Sequence, residues 1–102
     1  MDNQVNEAVQ AIDFANAKVD LAKALQRLKK DPDWKLVIEK GYFDDWALTQ
    51  IRNVGSYNAE QTKGYLEQAK ARGILDDYLY AIEQEGSMAK DALPALQKEI
   101  EE

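Results

Sequence analysis

Apolar residues in the first thirty positions recur at alternating spacings of three and four, which is typical of one face of an α-helix. This seam consists of Val5, Ala8, Ile12, Ala15, Val19 and Ala22. A second apolar line widens the stripe and consists of Phe14, Leu21, Leu25 and Leu28. We predict one long helix over residues 4–30, buried in a bundle because its stripe is wider than a coiled-coil seam. The alternate alanines would permit close approach of another helix, and the short seam leaves self-association open.

The segment after this helix is punctuated by Asp31-Pro32 and Gly41. Aspartate can cap a helix N-terminus, and proline suits the first helical position because its missing N–H would be unpaired there. We predict a short helix at about 33–40 with Gly41 as its left-handed C-terminal cap, followed by a helix at about 42–53.

A second long helix is expected after the turn at Gly55-Ser56. Asn58 is followed three residues later by Gln61, a variant of the capping box, so we predict a helix over 59–85. Gly73 inside it costs roughly 1 kcal/mol relative to alanine, which leaves a break at that position open. The clearest apolar face of this helix consists of Leu75, Tyr78, Leu79 and Ile82.

Two further signals shape the C-terminal end. Gly86-Ser87 is expected to end one helix and cap another. Pro94 is disfavoured inside a helix, so the tail should form either two short turns or a frayed acidic helix from residue 94 onward. No segment alternates like a strand, and the pattern predicts one all-α domain over residues 1–102, with fraying at 1–3 and 94–102. Its elements are a long N-terminal helix, two short aromatic-rich helices, a second long helix and an acidic C-terminal helical tail.

The composition argues against catalysis. The 102 residues include no cysteine and no histidine. Disulfides, thiolate metal sites and cysteine nucleophiles are therefore excluded, and the usual general base is missing. The serines, Ser56 and Ser87, have no histidine to activate them. We expect a protein that is not an enzyme and binds no metal or cofactor.

Pairs of adjacent carboxylates, Asp44-Asp45 and Asp76-Asp77, are the remaining candidates for metal or acid–base chemistry. Neighbouring helical residues point about 100° apart, so neither pair converges on one ion. Asp44 and Asp45 fall in the first turn of their predicted helix, where the helix dipole favours negative charge. We interpret them as structural.

The net charge of −6 is unevenly distributed. Acids and bases balance over residues 1–72, whereas residues 73–102 carry eight acids against Lys90 and Lys98. Such a block usually acts as a solvating or interacting tail, and the balance makes nucleic-acid binding unlikely. No apolar run approaches the roughly 20 residues of a membrane span. The N-terminus also lacks the pattern of a secretory signal, so we expect a cytoplasmic protein without a membrane partner.

A basic edge near the end of the first helix is a candidate contact site. Lys23, Arg27 and Lys30 follow one another at i, i+4 and i+7. They could contact phosphates, an acidic partner, or the acidic C-terminus of a neighbouring copy. The alternative is a solvated helix face whose cations suit the helix C-terminus.

The aromatic cluster at Trp34, Tyr42, Phe43 and Trp46 has two interpretations. It can close a small core against the first helix and the Leu75–Ile82 face, or it can anchor a protein partner, since tryptophan and tyrosine dominate interface hot spots. We expect Phe43, Val37 and Ile38 to face the core and at least one tryptophan to face a partner. The predicted partner-binding residues are Trp34, Tyr42, Trp46, Lys23, Arg27 and Lys30.

The stretch LQRLKKDPDWKLVIEKGYFDDWALT resembles a group of small helical proteins of tailed bacteriophages, associated with the virion and head assembly. The similarity covers roughly residues 22–92, and Trp46 and the Asn53–Tyr57 turn depart from the pattern. The matching residues of the first part are Leu25, Leu28, Asp31, Pro32, Asp33, Trp34, Val37, Ile38, Gly41, Tyr42 and Phe43. Those of the second part are Ile74, Leu75, Tyr78, Leu79, Ile82, Gly86, Met88 and Ala89. The resemblance implies a non-enzymatic phage component.

Three hypotheses follow. The first is a structural or assembly protein of a tailed phage, present in the host cytoplasm during assembly or in the virion. It would act through helix-mediated contacts with itself or a larger virion protein. The second is a phage-encoded acidic inhibitor that blocks a host protein by charge mimicry. The third is a small helical regulator of nucleic acid.

Overall fold

The chain is helical along almost its whole described length. The computed structural model describes residues 2–101, apart from the side chain of Asp2, and each of these residues is helical except Asp31, Tyr57 and Asn58. No strand occurs within this range, which confirms the all-α prediction. The elements are α1 (Asp2–Lys30), α2 (Pro32–Trp34), a π-helix (Lys35–Asp45), α3 (Trp46–Asn53), a 3-10 turn (Val54–Ser56) and α4 (Ala59–Glu101).

The boundary between α1 and α2 is set by Asp31, as the sequence predicts. Its carboxylate accepts hydrogen bonds from the backbone N–H groups of Asp33 at 2.8 Å and Trp34 at 3.4 Å. Pro32 occupies the first helical position, where no N–H is needed. The predicted helix over 4–30 and its Asp31-Pro32 stop-and-restart signal are both confirmed.

The segment from Pro32 to Asn53 is continuously helical, so the prediction of two short helices separated at Gly41 is wrong. No glycine of the described chain has a positive φ, and Gly41 lies inside the π-helix. The Trp46 N–H donates to the Gly41 carbonyl, five residues back. A Cβ built on Gly41 would come within 3.0 Å of the Leu36 carbonyl oxygen. The absence of a side chain at Gly41 therefore allows the backbone of this wide turn to pack tightly, and Gly41 does not form a left-handed cap.

The same continuity corrects the placement of Asp44 and Asp45. Both lie at the end of the π-helix and not in a first helical turn, and Asp45 makes no capping hydrogen bond with its side chain. Both are exposed to solvent. Their charge therefore lacks the favourable helix-dipole contact that the sequence pattern indicated.

The turn before α4 is closed by local side-chain contacts. The Gln61 N–H donates to the Asn58 side chain at 2.8 Å, and the Asn58 N–H donates to the Gln61 side chain at 3.0 Å. This reciprocal pair is the predicted capping box. Ser56 donates its hydroxyl hydrogen to the Asn53 carbonyl at 2.8 Å, which closes the predicted turn.

The helix α4 continues for 43 residues, well past the predicted end at residue 85. It passes through Gly73, Gly86-Ser87 and Pro94, so the predicted break at Gly86 is wrong. Both alternatives for the tail, two short turns or a separate helix from residue 94 onward, are also wrong, because the helix has no break at Pro94. Gly86 is buried, which shows that it serves packing rather than termination. The fraying predicted at 1–3 and 94–102 falls partly on Met1 and Glu102, which lie outside the described residues. Residues 94–101 are helical.

Contacts divide the chain into two compact units. The hairpin unit comprises Met1–Gln26 and Leu79–Glu102, and the central unit comprises Arg27–Tyr78. The prediction of one domain over residues 1–102 stays a prediction.

The hairpin unit packs α1 antiparallel to the C-terminal half of α4 through small residues. Ala8 and Ala15 on α1 are buried, as are Ile82 and Ala89 on α4. A Cβ built on Gly86 would overlap the Ala22 side chain and lie 3.3 Å from the Lys18 carbonyl oxygen. The alanine seam therefore permits the close helix approach that its pattern predicts.

Candidate protein-interaction surface

The central unit carries a row of apolar residues that runs from the π-helix to the first residue of α3. We call it the docking row and define it as Leu36, Val37, Gly41 and Trp46. Leu36 and Val37 are each 61% exposed, and Trp46 is 49% exposed. In a helix closed by bonds between residues five apart, Leu36, Gly41 and Trp46 follow one another on consecutive turns. Gly41 is half-buried and contributes no side chain between Leu36 and Trp46.

The other predicted aromatic anchors are partly covered. Trp34 and Tyr42 are half-buried. The Trp34 indole Nε1 is buried and has no hydrogen-bond partner among residues 2–101. The rings of Tyr42 and Phe43 meet edge-to-face, with centroids 5.3 Å apart and planes at 65°. Of the two tryptophans, Trp46 is therefore the one that presents more of its surface to solvent.

The predicted core residues of this segment separate into two groups. Ile38 and Phe43 are half-buried, whereas Val37 is exposed, so its placement in the core is wrong. The physical reason is the π-helix, whose wider turn shifts the positions that face inward from the α-helical spacing assumed in the prediction.

The basic edge is solvent-exposed along α1. Lys23, Arg27 and Lys30 all reach solvent, with Lys23 in the hairpin unit and the other two in the central unit. Lys23 borders a groove of the hairpin unit that Glu83 and Lys90 also line. This setting is compatible with both interpretations of the edge, a solvated helix face and a contact site.

A buried polar network in the central unit was not predicted from the sequence. Gln50 and Arg72 are buried, and the Arg72 guanidinium donates to the Gln50 side-chain oxygen. The Gln50 amide in turn donates to the Gln68 side-chain oxygen. A signal was present, because Gln68 and Arg72 extend the alternating four- and three-residue spacing of Leu75 and Leu79. Polar residues at such inward positions indicate a hydrogen-bonded core.

A shallow groove lies beside this network and is lined by aromatic and amide side chains. The rings of Tyr57 and Tyr65 stand tilted with centroids 6.5 Å apart, and Gly64 also lines the groove. The buried amide of Gln50 forms part of the lining. Because this amide already bonds to both Arg72 and Gln68, the network acts first as a structural tie between α3 and α4.

The described residues offer no arrangement suited to metal chemistry. Between residues 2 and 101 no three acidic side chains come together in a group that could hold a metal ion. The carboxylates of Asp76 and Asp77 are exposed, like those of Asp44 and Asp45. Within the same range, none of the helices has the length and apolar character needed to cross a membrane.

Comparison with known proteins adds no relative to this picture. No protein-family model, curated protein or solved structure matches the chain. The resemblance to tailed-phage proteins therefore stays a prediction from the sequence. The docking row is the candidate interaction surface of the chain.

Proposed function

We propose that this chain is a non-enzymatic structural or assembly protein of a tailed phage particle and that it binds a larger virion protein through the docking row. The observation that carries the proposal is the exposure of Leu36, Val37 and Trp46 on neighbouring turns of the continuous helical segment from Pro32 to Asn53. Tryptophan is enriched among the residues that dominate protein–protein binding energy. Full burial of side chains of this size stabilises a complex by about 1.5–3 kcal/mol each.

The backbone of the docking row also supports a binding role. π-Helical turns are rare and occur frequently at functional sites. Here a π-helical turn is closed by the Trp46 N–H and the Gly41 carbonyl, and the Trp46 side chain at its end is 49% exposed. An exposed tryptophan on such a turn is suited to the centre of an interface.

The phage setting rests on the resemblance over roughly residues 22–92, in which Val37 and Gly41 of the docking row match the pattern and Trp46 departs from it. The implied place of action is the host cytoplasm during assembly, or the virion. The acidic excess of residues 73–102 supports the rival function, an inhibitor that mimics nucleic-acid charge. The two functions differ in the surface they use, so they can be tested together.

The test is site-specific cross-linking from the docking row in lysate of infected cells. A photo-reactive amino acid replaces Leu36, and the cross-linked partner is identified by mass spectrometry. We expect a larger virion protein as the main product. Adding Trp46→Ala should reduce its yield about tenfold or more, since the variant removes a buried aromatic contact.

The matched control is Tyr78→Ala, which removes an aromatic side chain that is 55% exposed elsewhere in the central unit. It should leave the cross-link unchanged, and circular dichroism should show that both variants remain helical. Equal cross-linking with and without Trp46 would contradict the proposed site. A basic host protein whose capture weakens with salt, and is abolished by deleting residues 90–102, would favour the inhibitor.

A further inference from the structure

One groove of the hairpin unit is lined mostly by apolar side chains. Its floor consists of the small residues Ala11, Ala15, Ala89 and Ala92. Phe14 on α1 and Met88 on α4 border the same groove, and they are 66% and 69% exposed. These are among the largest side chains of the unit, yet neither contributes to its buried core.

The opposite groove of the hairpin has a different character. Lys23, Glu83 and Lys90 line it, together with the close contact at Ala22 and Gly86. Charged side chains suit contact with water, whereas two large apolar side chains around an alanine floor suit contact with another helix. The difference favours the apolar groove over the charged one as a packing surface.

The apolar face that contains Phe14 continues along α1. Leu21 lies seven residues after Phe14, on the same face of the helix, and is also exposed. Residues spaced by seven form a line along which a further helix can lie. A two-helix hairpin with such a face is half of a four-helix bundle.

The charges at the groove are self-complementary. Lys18 and Glu85 both border it, and the Lys18 Nζ lies 4.6 Å from the centroid of the Phe14 ring. A two-fold axis parallel to the helices would place α1 of one copy over α4 of the other. Lys18 of each copy would then lie near Glu85 of the other, and Phe14 above the alanine floor. A surface that bears one cation and one anion on opposite helices thus fits a second copy of itself.

The area of the face is sufficient for a specific dimer. Helices of about 25 residues are roughly 37 Å long, and a two-helix face is roughly 18 Å wide. The resulting area of about 650 Å² per copy lies within the range of stable protein–protein interfaces, at its lower end.

From the exposed rim, the alanine floor and the paired charges we propose that the chain forms a two-fold symmetric homodimer through the Phe14–Met88 groove, producing a four-helix bundle. This interface is distinct from the docking row, so a dimer presents two docking rows to its partner. Two linked sites can bind a repetitive virion surface more tightly than one site.

The first test compares two aromatic side chains of similar exposure in the hairpin unit. Phe14→Ala removes the rim of the groove, whereas Tyr80→Ala removes a 63% exposed ring that does not line it. By light scattering and sedimentation, the wild-type protein should be a dimer. Phe14→Ala should raise the dimer Kd about tenfold or more, as expected for loss of a buried aromatic contact, and Tyr80→Ala should leave the Kd unchanged.

The second test uses charge reversal and mixing. Lys18→Glu and Glu85→Lys should each weaken self-association, because each homodimer would oppose like charges. An equimolar mixture of the two variants should form a heterodimer, since both contacts then join opposite charges. Contacts within one chain cannot restore association when the two variants are mixed. Circular dichroism of each variant confirms that the helices are intact.

The homodimer is overturned if the wild-type protein stays monomeric up to roughly 100 µM, a concentration at which micromolar dimers are populated. It is also overturned if Phe14→Ala does not weaken the dimer. A mixture that fails to form heterodimers also overturns it. If the protein is monomeric and its hairpin groove binds a virion protein in a Phe14-dependent manner, the occupant of the groove is a foreign helix and not a second copy. Trp46→Ala should leave the dimer intact, so this result is independent of the docking row.

Discussion

The hairpin unit and the central unit bury different kinds of side chain. The five apolar residues that the described chain buries, Ala8, Ala15, Leu25, Ile82 and Ala89, all lie in the hairpin unit. The two buried polar residues, Gln50 and Arg72, lie in the central unit. The hairpin is therefore stabilised by close apolar packing, and the central unit depends more on a hydrogen-bonded tie. A unit with few buried apolar contacts has lower local stability and is suited to gain burial from a partner.

The largest test of this comparison replaces the same residue type in each unit. Ile82 is buried in the hairpin unit and Ile51 is exposed in the central unit. Ile82→Ala should lower the free energy of unfolding by about 2–5 kcal/mol because it leaves a cavity, whereas Ile51→Ala should lower it by less than about 0.5 kcal/mol. Urea unfolding followed by circular dichroism measures both. Similar losses of unfolding free energy at the two positions would show that the central unit depends on apolar packing as much as the hairpin unit does.

A smaller effect is expected from the polar tie. Gln50→Leu and Arg72→Met should each destabilise the protein by about 1–3 kcal/mol, because each leaves a buried polar partner without its hydrogen bond. The double variant should cost less than the sum of the two, since no buried unpaired group remains and the exposed Gln68 can bond to water. Equilibrium unfolding of all four proteins gives the coupling energy. Simple additivity would mean that the Gln50–Arg72 contact contributes nothing specific.

The smallest effects concern two glycines of α4. Gly86→Ala should destabilise by about 1–2 kcal/mol, because overlap with Ala22 outweighs the better helix propensity of alanine. Gly73→Ala should stabilise by up to about 1 kcal/mol, since a Cβ there meets nothing within 4 Å. Thermal unfolding distinguishes the two signs. A stabilising Gly86→Ala would show that the helices of the hairpin can separate without cost.

The features predicted correctly from the sequence are those that depend on near neighbours. The Asp31 cap and the Asn58–Gln61 capping box join residues two or three positions apart, so the local sequence is enough to predict their hydrogen bonds. The long N-terminal helix follows from the same local pattern. The exposure of Trp46 was anticipated only as one of two alternatives, because a spacing pattern does not say which side of a helix is covered.

The errors have two causes, which are the π-helix and packing between distant parts of the chain. Gly86 has the composition of a helix stop, but its missing side chain lets α4 pass close to Ala22. Val37 has the spacing of a core residue in an α-helix, but a π-helix turns it toward solvent. The tie between Gln50 and Arg72 joins residues 22 positions apart, and no local rule pairs them.

The sequence by itself determined the all-α class, the start of each long segment and the alanine seam, because periodicity and capping act within one turn of helix. Only the tertiary structure decided that Gly41 and Gly86 continue their helices and that Gln50 and Arg72 are buried. It also decided that Leu36, Trp46, Phe14 and Met88 stay exposed. A residue of a given type can be buried or exposed, and a glycine can continue a helix or end it. Which of these occurs depends on the free energy of contacts that form only when the chain is folded.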